Sequence, residues 1–233
     1  MEIIAEIGQN HNGDIKLAKE LIYAAKENGA DVAKFQIFNA KKLFSKKNNP
    51  WYRDNLKAEL SIKNIIELNE ICKKIKIEFM ASVFDTKLLS ITEEIKMKRY
   101  KVASRSVFDK KLVSKILSFK KPTIISLGFW NKKTFPFDKL NHSIFYLYCV
   151  SKYPTKIKDL SLSKKLFKKV DGFSDHTVGI KSAIKAINFG AKIVEKHFTL
   201  DKKMRGPDHQ LSITPKELKI LSEYSNSFKI KND

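Results

Sequence analysis

Residues 172–209 read GFSDHTVGIKSAIKAINFGAKIVEKHFTLDKKMRGPDH, and the fold follows from how this stretch divides. An apolar strand is expected over 170–173, running into Ser174, Asp175 and His176. A helix over about 178–188 follows, with Ile180, Ala183, Ile184 and Ile187 at helical spacing and Gly190 as its stop. Residues 191–195 form the next strand, running into Lys196 and His197. Each histidine therefore stands at the C-terminal end of a strand, and neighbouring parallel strands deliver those ends to one edge. Two neutral imidazoles there, with Asp175, Asp208 and His209 close by, suit a borderline divalent metal with open positions for substrate. One such histidine alone is equally well explained as a loop hydrogen-bonder; the paired placement favours a joint site.

The 233 residues suffice for one large domain spanning 1–233, and nothing in them resembles a linker. Cys72 falls on an expected helix and Cys149 at the end of an expected strand, which fits a reducing cytoplasm and no cysteine metal cluster. No signal peptide is expected, and no run approaches the roughly 18 apolar residues of a membrane span. The net charge of +21 comes almost wholly from lysine, Arg53, Arg99, Arg105 and Arg205 being the only arginines. The lysines are spread over every helix and loop, and the scarcity of arginine argues against nucleic-acid recognition. A positive field of this kind still draws anionic substrates toward a cleft.

Strand and helix alternate along the whole chain. Strands are expected over 2–7, 31–37, 77–82, 99–103, 122–126 and 143–150, ahead of the two histidine-bearing ones. Helices are expected over 14–28, from Ser61 onward, and over 86–95, 109–119, 160–169 and 214–228, with a long loop over 38–60. Residues 131–143, NKKTFPFDKLNHS, make a poor helix with Pro136 inside, so the connection after strand five reads as degenerate. Eight strands, all but one with a convincing helix, predict a compact α/β (β/α)8 TIM barrel, for which about 250 residues is usual. An open doubly wound sheet remains the alternative, since strand order is not visible in sequence.

A barrel demands reactive residues at strand C-terminal ends. Glu6, Lys34, Gln36, Ser82, Lys101, Ser104, Ser126, Ser151, Tyr153, Ser174, His176 and His197 all fall there. Lysines, hydroxyls and the Ser126-Leu127-Gly128 turn make a phosphate-binding set. Strand-end lysines often only reach solvent, but Lys34 and Lys101 are each flanked by apolar strand residues. A metal and phosphate-binding lysines, without a Gly-rich nucleotide loop, point toward a small phosphorylated substrate.

The segments AEIGQNHNG, AKFQ, YKVAS, CVSKYPT, GFSDHTVG and EKHFTLDKKMRGPDH closely resemble the sialic acid synthase family, from Ile4 to about Ser212. The resemblance implies a barrel transferase that joins phosphoenolpyruvate to N-acetylmannosamine or a related amino sugar. It implies that His176 and His197 hold the divalent metal, typically manganese with magnesium or cobalt as alternatives, and that no organic cofactor is used. It further implies that Lys34, Lys101, Ser104, Ser126 and Ser174 hold phosphoenolpyruvate. Gln36, Tyr153 and Asp208 match sugar-side positions, Ser151 is a further substrate-binding candidate, and Glu6 matches the acidic residue beside the reacting centre.

The chain departs from the family pattern at several places. Arg105-Ser106 stand where the family has Gly-Glu, Ser151 replaces an asparagine, and Ser82-Val83 replace Thr-Pro. The sequence stops after the barrel, without the family's C-terminal antifreeze-like domain, so a homodimer and a separately encoded domain of that kind are the partners to expect. These departures permit a changed acceptor, an anionic one if Arg105 contacts it, a separately encoded second domain, or a barrel with little activity. The rival expectation is a non-catalytic descendant that binds metal and an anionic ligand.

Overall fold

The computed structural model describes residues 1–137 and 143–232. Eight strands, β1 (Glu2–Gly8), β2 (Val32–Ile37), β3 (Glu78–Val83), β4 (Tyr100–Val102), β5 (Thr123–Ser126), β6 (Ile144–Cys149), β7 (Gly172–Asp175) and β8 (Ile193–His197), run parallel in sequence order. β1 pairs with β8 and closes the barrel. The (β/α)8 expectation holds, and the open sheet is excluded.

The helices are α1 (Ile15–Glu27), α2 (Ala40–Leu43), α3 (Tyr52–Lys57), α4 (Ile62–Ile75), α5 (Leu89–Glu94), α6 (Lys110–Ser118), α7 (Lys164–Phe167), α8 (Lys181–Asn188) and α9 (Pro215–Asn232). Polar side chains fix several starts: Asp14 accepts from the backbone of Lys16 and Leu17, Ser61 from Asn64, and Asp109 from Leu112. The apolar faces of α1, α4, α6 and α8 bury Leu21, Leu68, Ile116 and Ala183 against the outside of the strands.

Several boundaries differ from the sequence reading. β7 and β8 each lie two residues further along than expected, so His197 is inside β8 and His176 directly follows β7. A two-residue shift preserves strand faces, so the histidines keep their place. The helix expected over 160–169 shrinks to α7, because the chain stays extended through Ser163 before that residue caps it. The expected loop over 38–60 contains α2 and α3, the first capped by Asn39. After β5, residues 127–137 carry no helix, while residues 138–142 of the expected degenerate connection lie outside those described.

Alternation along the strands sorts the barrel interior into layers. Ile4, Val32, Met80, Ile124, Leu147 and Ile193 form a buried apolar plug, each worth about 1.5–3 kcal/mol of burial. Two residues further along the strands stand Glu6, Lys34, Ser82, Ser126 and Glu195, all buried. The plug thus seals the base beneath a polar layer. Gly172 permits a close approach of β7 to β8, since a Cβ there would lie 2.1 Å from the Ile193 carbonyl oxygen.

Candidate active site

Above the plug opens a cavity of about 560 Å³ at the C-terminal ends of the strands. It is lined by Glu6, Lys34, Gln36, Lys101, Ser104, Ser126, Tyr153, Ser174, His176, His197 and Asp208, which the structure brings together from seven strands or the loops after them. Ser151 does not line it. Its hydroxyl is buried beside Gly128, 2.3 Å from where a Cβ on that glycine would sit, and has no hydrogen-bond partner.

Glu195, which the sequence reading passed over, is the hub. It accepts from Ser174 Oγ at 2.8 Å and stands 3.3 Å from Lys34 Nζ and 3.7 Å from Lys101 Nζ. Lys34 also lies 2.9 Å from Glu6 and donates to Ser82 Oγ, while Lys101 donates to Ser126 Oγ at 2.7 Å. Gln36 Nε2 donates to the other Glu6 oxygen at 2.9 Å. Two ammonium groups and two carboxylates are thus held in mutual contact away from water. Burial works against the Glu195 carboxylate, but Lys101 and Lys34 outweigh it and hold its pKa at about 2. Glu6 goes the other way: burial raises it, Lys34 offsets only part, and the Glu195 charge adds to the rise. Burial also disfavours charged Lys34, yet Glu195 and Glu6 together keep it above its usual value. The Lys34–Glu6 contact thus serves the two partners unequally, because Lys34 has two carboxylates and Glu6 has one ammonium. Lys101 falls below the usual lysine value, burial exceeding the pull of Glu195.

The histidines face each other across the same cavity, ring centroids 5.5 Å apart, with Tyr153 packed 4.1 Å from His176. His176 Nδ1 lies 2.9 Å from the Val150 carbonyl, which can only accept, so that nitrogen carries a proton. Burial works against the charged ring, but Cys149 Sγ, 3.7 Å from the same nitrogen, outweighs it and raises the pKa, so a metal ion would displace the second proton from Nε2. Burial lowers His197 to about 4 despite Asp208, whose carboxylate lies 3.7 Å from Nδ1. That buried Nδ1 has no hydrogen-bond partner. Two imidazole nitrogens, one of them orphaned, are a donor set that fits a borderline divalent ion. Among the described residues no three His, Cys, Asp or Glu side chains converge as a preformed metal cluster. Asp175 and His209 are not beside the histidines: Asp175 turns outward from the barrel onto Lys196 and Ser182, and His209 pairs with Thr199 Oγ1.

On the outer side of the cavity, Asn49, Asn55, Gln9 and Gln36 form a chain of carboxamide hydrogen bonds beside Phe44 and Trp51. Arg205 of the loop after β8 clamps Asp54 through Nε and Nη2 and covers Trp51. Arg105 lines the cavity, its guanidinium 5.5 Å from the Phe44 ring. Glu195 was detectable from sequence, being two residues before His197 on the same strand face. The Trp51–Asn55 wall had no such signal, since it lies in a lysine- and asparagine-rich segment without periodicity.

The comparisons with known proteins agree with this geometry. Residues 21–231 match the model of the NeuB family. The chain is 38% identical to the N,N'-diacetyllegionaminic acid synthase of Legionella pneumophila, over 94% of its own length and 69% of that protein. It is 34% identical to the human N-acetylneuraminate-9-phosphate synthase, over 94% and 67% respectively. The crystal structure of N-acetylneuraminic acid (sialic acid) synthetase from Leptospira borgpetersenii, in complex with citrate, superposes with a TM-score of 0.90 at 32% identity, covering 99% of this chain and 85% of that one. Barrel, cavity and sequence converge, and the chain belongs to the NeuB family of synthases.

Proposed function

We propose that this barrel condenses phosphoenolpyruvate with an N-acetylated amino sugar, giving a sialic-acid-like nonulosonate and phosphate. The observation that carries the reading is one cavity holding two buried ammonium groups among serine hydroxyls, directly beside two imidazoles. His176 and His197 would hold a divalent metal, manganese first among the candidates, which when bound supplies Lewis acidity toward the sugar aldehyde. No organic cofactor is required by this chemistry. Lys34 and Lys101, with Ser104, Ser126 and Ser174, hold the phosphate and carboxylate of phosphoenolpyruvate. Its C3 bonds to the aldehyde carbon as the C=O π pair moves to the aldehyde oxygen, which takes a proton from solvent to become a hydroxyl, leaving positive charge at C2. Glu6 in its ionised form stabilises that charge, and the rise in its pKa on burial suits it to take a proton from the water that adds there. The C2 hydroxyl then gives its proton to the departing phosphate as the C–O bond to phosphate breaks, the C2 ketone forms, and Lys34 and Lys101 retain the charge of the leaving group. The two buried, unpaired thiols, Cys72 and Cys149, support a cytoplasmic setting, and no helix among the described residues is long and apolar enough to cross a membrane.

Phosphate release from phosphoenolpyruvate, measured with manganese and a panel of N-acetylated hexosamines, tests the reading. Release that depends on one of these sugars is expected. Retained phosphoenolpyruvate binding without release for any sugar would favour the non-catalytic alternative. Lys34→Ala and Lys101→Ala should each weaken phosphoenolpyruvate binding by roughly 1–3 kcal/mol, the worth of a charged hydrogen bond. Unchanged calorimetric affinity in both variants would place the phosphate elsewhere. Arg105 presents a guanidinium to the cavity, and such a group pairs with phosphate or carboxylate. Arg105→Gly should therefore shift acceptor preference from phosphorylated toward neutral sugars, read as the ratio of kcat/KM values. An unchanged ratio would remove Arg105 from acceptor selection.

A further inference from the structure

A buried ion pair stands on the outer side of the barrel wall, one residue before each of the two histidines. Asp175 and Lys196 are register partners on β7 and β8. Alternation sends both side chains away from the cavity, while Ser174, Glu195 and His197 face into it. Lys196 Nζ lies 3.3 Å from Asp175 Oδ2, and both side chains are wholly buried. The same ammonium donates to the Thr177 carbonyl at 2.5 Å. Lys196, the neighbour of His197, therefore grips the residues immediately before and after His176. Asp175 completes the frame, accepting from Thr177 N at 2.8 Å and from Ser182 Oγ at 2.6 Å, the latter at the start of α8. The Thr177 and Ser182 hydroxyls close it by bonding each other.

We propose that Asp175 and Lys196 are positioning residues that fix the separation and orientation of the His176 and His197 imidazoles for a divalent cation. Stability alone gives no reason for the pair. Apolar side chains of similar volume commonly serve a buried site as well as an ion pair does, or better. What apolar residues cannot do is hold both the carbonyl and the N–H of Thr177, the residue directly after His176. Outer partners of this kind typically control metal affinity by 10–100-fold without touching the ion. The inference rests on the metal reading of the histidine pair, and its test separates the two.

Manganese(II) chloride is titrated into the full chain and followed by electron paramagnetic resonance, for the parent, Lys196→Met, Asp175→Asn and His197→Ala. Phosphoenolpyruvate affinity in metal-free buffer and the thermal midpoint are measured alongside. Lys196→Met and Asp175→Asn are expected to bind manganese at least about tenfold more weakly, with phosphoenolpyruvate affinity changed by less than about twofold. A role confined to stability would lower the midpoint and leave the manganese affinity of the folded protein alone. Folded variants that bind manganese like the parent, while His197→Ala does not, overturn the proposal. Loss of the fold in both variants overturns it as well, since the pair would then serve the fold itself. Equal manganese binding by parent and His197→Ala instead removes the metal reading.

Discussion

Alanine at His176 or at His197 is expected to abolish stoichiometric manganese binding and, with it, sugar-dependent phosphate release. Each substitution removes one of two imidazole donors from a cavity in which no third ligand converges among the described residues. The loss should exceed the roughly 10–100-fold that outer-shell partners command, because a donor atom itself is gone. The fold should survive. His176 follows its strand, and His197 faces the open cavity, away from the apolar plug that closes the base. Metal content after dialysis, with circular dichroism as the control for folding, decides the matter. Undiminished manganese in both variants would remove the central chemical claim.

Glu195→Gln should have the largest effect on stability. In the parent, this carboxylate stands between two buried ammonium groups and is held ionised down to about pH 2. Removing its charge leaves Lys101 without a carboxylate in contact and Lys34 with Glu6 alone, and breaking a buried pair in this way costs about 3–5 kcal/mol. For a chain of this length that corresponds to a fall in Tm of roughly 6–20 °C. Added phosphate should restore more of the loss in the variant than it adds to the parent, because an anion binding the native state supplies the missing charge. The pH dependence has a defined sign. Glu195 is depressed from 4.5 to about 2, so its contribution is present above about pH 4.5 and is lost as the pH falls toward 2. The variant should lack that component. A Tm equal to the parent's at neutral pH would show that Lys34 and Lys101 do not depend on Glu195.

Much of this molecule is legible in its sequence because the signals are local. Short apolar runs such as EIIAEI and AKIVE, helix periodicity, and caps at Asp14, Ser61 and Asp109 mark the strands and helices, and eight alternating units leave few ways to close a sheet. Alternation along a strand also fixes which side chains share a face, so the sequence alone puts Lys34, Lys101, Ser126, Ser174 and both histidines at strand ends. The tertiary structure decided what those residues meet. Strand closure made Glu195 the partner of Lys34 on β2 and Lys101 on β4, a sharing across the barrel that leaves no trace in local spacing. Register turned Asp175 outward to Lys196 although it adjoins His176. The loop after β6 carried Ser151 against Gly128, and the fold of a segment without periodicity placed Trp51 and Asn55 at the cavity wall. Backbone preferences act over a few residues and are written in the chain itself, whereas ion pairs and packing join residues far apart in sequence and exist only once the barrel has closed.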